Sequence, residues 1–205
     1  AIETLGAVSV ICTDKTGTLT RNEMMVASVV FADQELQVTG EGYEPAGEIT
    51  VQGRRVDLDE RLQWLAKVAA LCNDSELVNQ QGQWQVLGDP MEGALLRFAS
   101  KVGHDLTDLQ QALPRQAQIP FDARHRYMVT AHSGAANVLL VKGAPERLLE
   151  MCSTHMLSDG GTAPIDLDYW HQEAHQIAAQ GQRVLAFAMR LSDDPAAGLD
   201  HPVVA

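Results

Sequence analysis

An aspartate opens a short Thr- and Gly-containing string, Asp14-Lys15-Thr16-Gly17-Thr18-Leu19-Thr20, directly after the β-branched run Ala7 to Cys12. A carboxylate on a loop at the C-terminal end of a buried strand is placed to attack a phosphoryl group. Loop amides and hydroxyls, Thr16 and Thr18 among them, can take the phosphate oxygens, and Lys15 offsets charge. Six further positions are of chemical interest. Lys142 ends a strand and is followed by Gly143, which permits close approach of a ligand, and by Pro145, which opens a helix. Phe121 offers an aromatic face and Arg126 a cation, contacts each worth roughly 1 kcal/mol at a partly exposed site. Glu92 and Arg183 complete the set. Each also has a plain structural reading: Phe121 as a core residue at a strand end, Glu92 as a capping-box acid, Arg183 as a solvated strand start.

These residues need a scaffold. Met24 to Phe31 and Glu35 to Thr39 alternate as strands about Ala32-Asp33-Gln34, and Gln52-Gly53 and Gln81-Gly82 each join a hairpin. Asp57 with Glu60 predicts a capped helix whose inner face carries Leu58, Leu62, Leu65, Ala69 and Cys72. Asp89-Pro90-Met91-Glu92 opens a second helix that ends at Gly103. Gln118 to Phe121, Tyr127 to His132, Asn137 to Lys142 and Arg183 to Leu191 read as strands. Pro145 and Asp166 start two more helices, the latter with Trp170, Ala174, Ile177 and Ala178 on one face. Met24, Met25 and Trp64 read as core. Strands in hairpins, with helices interrupting singly, predict an α+β fold: an antiparallel sheet flanked by helices.

The string DKTGTLT closely resembles the phosphorylation motif of the P-type cation-transporting ATPases, within the haloacid-dehalogenase-like phosphotransferases. KGAPE (Lys142 to Glu146), Phe121 to Met128, Gly88 to Leu95 and Gly181 to Ala186 resemble the nucleotide-binding domain of the same family. Leu71-Cys72-Asn73-Asp74-Ser75 resembles its type II, calcium/sodium-pump-like branch and is assigned a packing role at the end of its helix. The resemblance implies that residues 1–22 are a phosphorylation-domain fragment and 23–205 a nucleotide-binding domain. It makes Asp14 the acceptor of the ATP γ-phosphate and places Mg²⁺ at Asp14 and the Thr16 carbonyl, incompletely in this chain. Phe121 stacks on adenine, Glu92 faces its amino group, and Arg126, Lys142, Gly143 and Arg183 lie along the nucleotide. Ala123 stands where calcium-pump relatives carry an Arg. Thr16 stands where related phosphatases carry an acid/base Asp, so an acyl phosphate would persist. The implied whole is an ATPase coupling ATP hydrolysis to cation transport, with this chain a cytoplasmic domain of an integral membrane protein. Its implied partners are ATP and the phosphorylation, actuator and transmembrane domains.

Composition narrows the alternatives. The 205 residues carry 15 Lys+Arg against 27 Asp+Glu, a net charge of −12, with 45% hydrophobic residues. That balance opposes duplex nucleic acid as a partner, because phosphate neutralisation needs a basic face. Arg124, Arg126, Lys142 and Arg183 could still form a local cationic patch against this background. No apolar run is long enough to cross a bilayer, so direct membrane contact by this chain is not expected. Cys12, Cys72 and Cys152 are odd in number and dispersed, which argues for a reducing compartment. Ala1 in place of an initiator Met, and a new apolar segment at Val203-Val204-Ala205, fit a piece of a longer protein. A free-standing phosphatase would need a G-D-x-x-x-D acid pair, and Gly93 stands where the second acid belongs. His171 and His175 have helical metal-ligand spacing but no third ligand, so they read as a solvated face. A non-catalytic interaction module of the same fold is the remaining alternative. The expectation is an isolated chain that binds ATP without efficient turnover.

Overall fold

The computed structural model describes residues 23–40, 46–197 and 199. Its centre is an antiparallel sheet of four strands in the order β12-β9-β8-β7. These are β7 (Arg115–Ile119), β8 (Tyr127–His132), β9 (Val138–Gly143) and β12 (Ala186–Leu191). Every residue of β8 and β9 is buried, because both faces of these strands are covered. On one face Met128, Val138 and Leu140 pack with Leu62, Ala69 and Leu95 from helices α1 (Glu60–Leu71) and α2 (Pro90–Lys101). On the other, Tyr127, Val129, Leu139 and Val141 pack with Leu148 of α4 (Pro145–Met151). The period-2 alternation thus divides one strand pair between two cores.

Three smaller units surround this centre. A meander of β1 (Ser28–Val30), β2 (Glu35–Val38), β3 (Ile49–Val51) and β4 (Arg54–Arg55) contributes Val29, Leu36, Val38 and Ile49 to the α1/α2 core. The hairpin of β5 (Glu76–Gln80) and β6 (Gln83–Leu87) joins α1 to α2. Its Gln81-Gly82 turn has positive φ at both residues, as does Gln52-Gly53 between β3 and β4, the backbone of the tight hairpin turns expected there. A short ribbon of β10 (Thr154–Met156) and β11 (Thr162–Pro164) precedes α5 (Leu167–Ala179).

The α+β class with antiparallel sheets stands, and several boundaries move. Helix α1 is capped by Asp59, whose Oδ1 accepts from Leu62 N at 2.9 Å, not by Asp57. Arg61 explains the shift: its guanidinium holds the other Asp59 oxygen at 2.8 Å, also pairs with Asp33, and lies over the Phe31 ring. Leu58 is consequently outside the helix and exposed. Helix α3 (Leu106–Ala112) was not anticipated, although Asp105 caps it through the amides of Thr107 and Asp108. The short strands β10 and β11 were missed as well. Strand β1 is shorter than predicted, and Arg183 precedes β12 instead of opening it. Met25 is exposed, and Met24 and Trp64 are half-buried. None of the α5 face is fully buried, and Ala178 is exposed. No helix among the described residues is long and apolar enough to cross a membrane.

Candidate functional site

Strand order brings the candidate residues to one end of the central sheet. Tyr127, the first residue of β8, is paired with Gly143, the last of β9, and Gly143 with Ala186, the first of β12. Ile119 closes β7 at the same end. Phe121, Arg126, Lys142, Gly143 and Arg183 therefore all lie at or just beyond this edge, although 62 residues of sequence separate the outer two. The N-terminus of α4 is there too, at Pro145.

Lys142 shares the helix-facing side of the sheet with Leu140 and Met128, and is only 4% exposed. Its Nζ donates to Glu92 Oε1 at 2.6 Å. Glu92 lies in the first turn of α2, which the Asp89 cap and Pro90 start at this point. The other carboxylate oxygen, Oε2, accepts from Ser75 Oγ at 2.9 Å and Asp74 N at 3.1 Å. Asn73 adds a bond from Nδ2 to the Glu92 carbonyl at 3.0 Å, and its Oδ1 accepts from Ser75 N. The capping box is thereby closed through an intermediary. Asp89 N donates to Ser75 Oγ at 2.9 Å, and the Ser75 hydroxyl donates onward to Glu92. One carboxylate thus serves both the helix start and the pair with Lys142. Gly88 makes this possible, since a Cβ there would sit 2.2 Å from Ser75 Oγ.

Phe121 does not join the core; it is 61% exposed. Beyond it Asp122 organises a tight turn, with Oδ1 accepting from Arg124 N at 2.6 Å and from His125 N at 3.2 Å. These amides, Arg124's foremost, hold the Asp122 carboxyl below its usual range. The turn carries Arg126 into the left-handed region at φ 61°, an unfavourable place for a residue with a Cβ. Its carbonyl accepts from Ala144 N, and its guanidinium pairs with Glu146 of α4 at 2.5 Å, both side chains half exposed.

Gly143 has a packing reason of its own. A Cβ there would lie 2.5 Å from the Arg126 carbonyl oxygen and 2.6 Å from Tyr127 Cβ, so the neighbouring strand already fills that side. Arg183 is exposed and lines a largely apolar cleft of about 660 Å³ that runs along β12 and β1. His171 and His175 are exposed on α5, and no His, Cys, Asp or Glu cluster suited to a metal exists among the described residues. Burial and its contact with the Met128 carbonyl leave Cys72 an unreactive thiol, its pKa pushed up to about 11 chiefly by desolvation. Asp14, Lys15, Thr16 and Thr18 lie outside the described residues.

Residues 61–200 match the family model of the P-type ATPase cytoplasmic domain N, which covers more than half of the chain. The chain belongs to the P-type ATPases. It is 40% identical over 98% of its length to a cation-transporting ATPase of Synechocystis, of which it covers 23%. A probable cation-transporting ATPase F of Mycobacterium bovis is 40% identical over 92% of the chain, which covers 21% of that protein. The calcium-transporting ATPase type 2C member 1 of Bos taurus is 36% identical over 91%, with 20% of its length covered. The chain thus spans about a fifth of the length of these cation pumps.

Within this domain N the sequence reading missed the contribution of Asn73, Asp74 and Ser75. The Cys72-Asn73-Asp74-Ser75 string carries more than the packing role assigned to it, because its polar atoms converge on Glu92. The signal was available in three consecutive polar residues at a helix end; the structure buries two of them.

Proposed function

We propose that this domain N binds ATP at the end of the central sheet. In the parent enzyme it would deliver the γ-phosphate to Asp14, forming an aspartyl-phosphate whose turnover drives cation transport across a membrane. The observation that carries the reading is an aromatic ring left 61% exposed at the same end of the sheet as a buried Lys–Glu pair. Burying such a ring is favourable, and a purine face would provide the cover. The Lys142–Glu92 pair retains hydrogen-bonding capacity. A carboxylate accepts at about four sites and an ammonium donates three times. Three of the Glu92 sites are filled by Lys142, Ser75 and Asp74, and one Lys142 N–H by Glu92. An acceptor and two donors remain for the edge of an adenine base.

The pair itself is neutral, so attraction for phosphates falls to Arg126, Arg124 and Arg183. Arg126 is matched with Glu146 in an exposed pair worth at most about 1 kcal/mol, which a polyphosphate can displace. Affinity for isolated ATP is therefore modest and weakened by salt. Mg²⁺ belongs with Asp14 and the Thr16 carbonyl, and no residue of the described site is asked to hold it. The chain alone binds ATP without efficient turnover. The partners of the whole are the phosphorylation, actuator and transmembrane domains, and the calcium-transporting relative supports the calcium/sodium-pump-like branch.

Titrating the 205-residue chain with ATP and following amide and side-chain NMR signals tests this. Shifts should concentrate at Phe121, Lys142 and Gly143 and disappear in Phe121→Ala. Binding without shifts at these residues, or appreciable Mg²⁺-dependent turnover by the chain alone, would overturn the reading.

A further inference from the structure

Arg115 stands 6 residues before Phe121, at the far end of β7, and no reading of the sequence singled it out. The register between β7 and β8 slips at this point. Ile119, Gln118 and Ala117 face Val129, Thr130 and Ala131 in order, but His132 is paired with Arg115 instead of Gln116. A bulge of this kind re-aims a side chain. Unbulged, Arg115 would share the face of Ala117 and Ile119, toward α4. With one residue inserted it shares the face of Gln118, Thr130 and His132, toward α1.

There its guanidinium makes four contacts. Nη2 donates to the carbonyls of Leu71 at 2.9 Å and Asn73 at 2.5 Å, two acceptors left open where α1 ends. Nη1 donates to Asp74 Oδ1 at 2.6 Å and Gln118 Oε1 at 2.5 Å. Residues 73 to 75 are the ones that hold Glu92 through the Asn73 amide, the Asp74 N–H and the Ser75 hydroxyl. The strand that carries Arg115 ends at Ile119, and Phe121 follows it by two residues. One planar, five-donor group therefore ties the aromatic platform to the turn that fixes the polar floor.

We propose that Arg115 is a positioning residue for nucleotide binding: it sets the distance and tilt between Phe121 and the Glu92–Lys142 pair without touching the ligand. The inference rests on the ATP reading above. A lysine at this place, a point charge without the fork, can satisfy one or two of the four acceptors but not all of them.

The test measures ATP affinity of the 205-residue chain by calorimetry for Arg115→Gln and Arg115→Lys, alone and combined with Glu92→Gln. Folding of each variant is checked by NMR dispersion. Arg115→Gln should weaken ATP binding about fivefold to tenfold, with Arg115→Lys in between. In the Glu92→Gln background, where the floor is already loosened, the same change should cost less than about twofold, since residues in one network couple. A purely structural role would lower affinity by the same factor in both backgrounds, and that result overturns the inference. So does wild-type affinity in a folded Arg115→Gln chain. If Arg115→Gln does not fold, Asp74→Ala removes one contact of the guanidinium while keeping the Asp74 N–H. It should show the same coupling to Glu92→Gln, and its absence overturns the inference equally. Failure of the unaltered chain to bind ATP sinks the parent reading and this one with it, whereas Phe121-dependent binding that ignores Arg115 sinks this one alone.

Discussion

Two ion pairs lie at the same end of the central sheet with nearly the same separation, and they differ in everything else. Lys142 and Glu92 meet at 2.6 Å with side chains 5% and 13% exposed, while Arg126 and Glu146 meet at 2.5 Å with 49% and 48%. The first pair sits between a strand and two helices, and its carboxylate is additionally held by Ser75 and Asp74. The second spans a turn and the first turn of α4 in water. Removing one partner of a buried pair strands the other charge, whereas an exposed pair can be lost at little cost. The floor of the site is thus built for rigidity and the rim for exchange, a division that suits a ligand with an apolar base and a charged tail.

The sharpest way to break that contrast is Lys142→Met. Leaving the buried Glu92 carboxylate without its counter-charge should cost about 3 kcal/mol or more, read as a lower urea midpoint at unchanged slope. The double variant Lys142→Met with Glu92→Leu should recover much of the loss, because the apolar pair needs no charge compensation. If the single variant is as stable as the parent, the floor is not the rigid element described. Gly143→Ala comes next. Its Cβ must displace the backbone at Arg126 and Tyr127, so a destabilisation of about 1–3 kcal/mol is expected in the same urea experiment. Arg126→Gln should change stability by less than about 1 kcal/mol. Yet it should weaken ATP binding severalfold and flatten its salt dependence in calorimetry at low and high ionic strength. Equal losses of stability from the rim and floor substitutions would erase the distinction.

The gentlest probe is pH. His132 is 1% exposed on the same sheet face as Lys142, its Nδ1 2.7 Å from the Leu113 carbonyl. Burial depresses its pKa below 6.5, the carbonyl contact working against that and the Arg115 charge adding to it. The unfolded chain therefore takes up this proton more readily than the folded one. Stability should be complete above about pH 6.5 and decline as pH falls below it, until the folded histidine is itself protonated. His104 is depressed by burial in the same sense, so the comparison is between the parent and His132→Gln. Urea midpoints from pH 7.5 to 5.5 should fall less in the variant; parallel curves would assign the dependence elsewhere.

Much of this was legible in the chain itself. Asp89-Pro90 marked the start of α2, Pro145 that of α4, and Gln-Gly dipeptides marked two hairpins, because caps and turns are set by local backbone needs. The runs at 127–132 and 137–142 announced strands, and the structure added that both are covered on both faces. The motif residues Phe121, Arg126, Lys142 and Glu92 could be named from the resemblance of their segments to the P-type ATPases. Local rules failed where distant partners decide. Asp59 caps α1 in preference to Asp57 because Arg61 is drawn toward Asp33 and Phe31, 28 and 30 residues away in sequence. The α5 face that reads as core stays half-open because it lines the β12 cleft instead of meeting another layer.

Short motifs sufficed to point to the family, and caps and period-2 patterning to the antiparallel α+β class. Only the tertiary structure decided that Glu92 can be cap and ligand of Lys142 at once, by inserting Ser75 between the two ends of the box. It also decided that Arg115 faces α1, through a one-residue slip that no propensity encodes. Both follow from contacts across 17 to 50 residues of chain, which exist only after the sheet has closed against its helices.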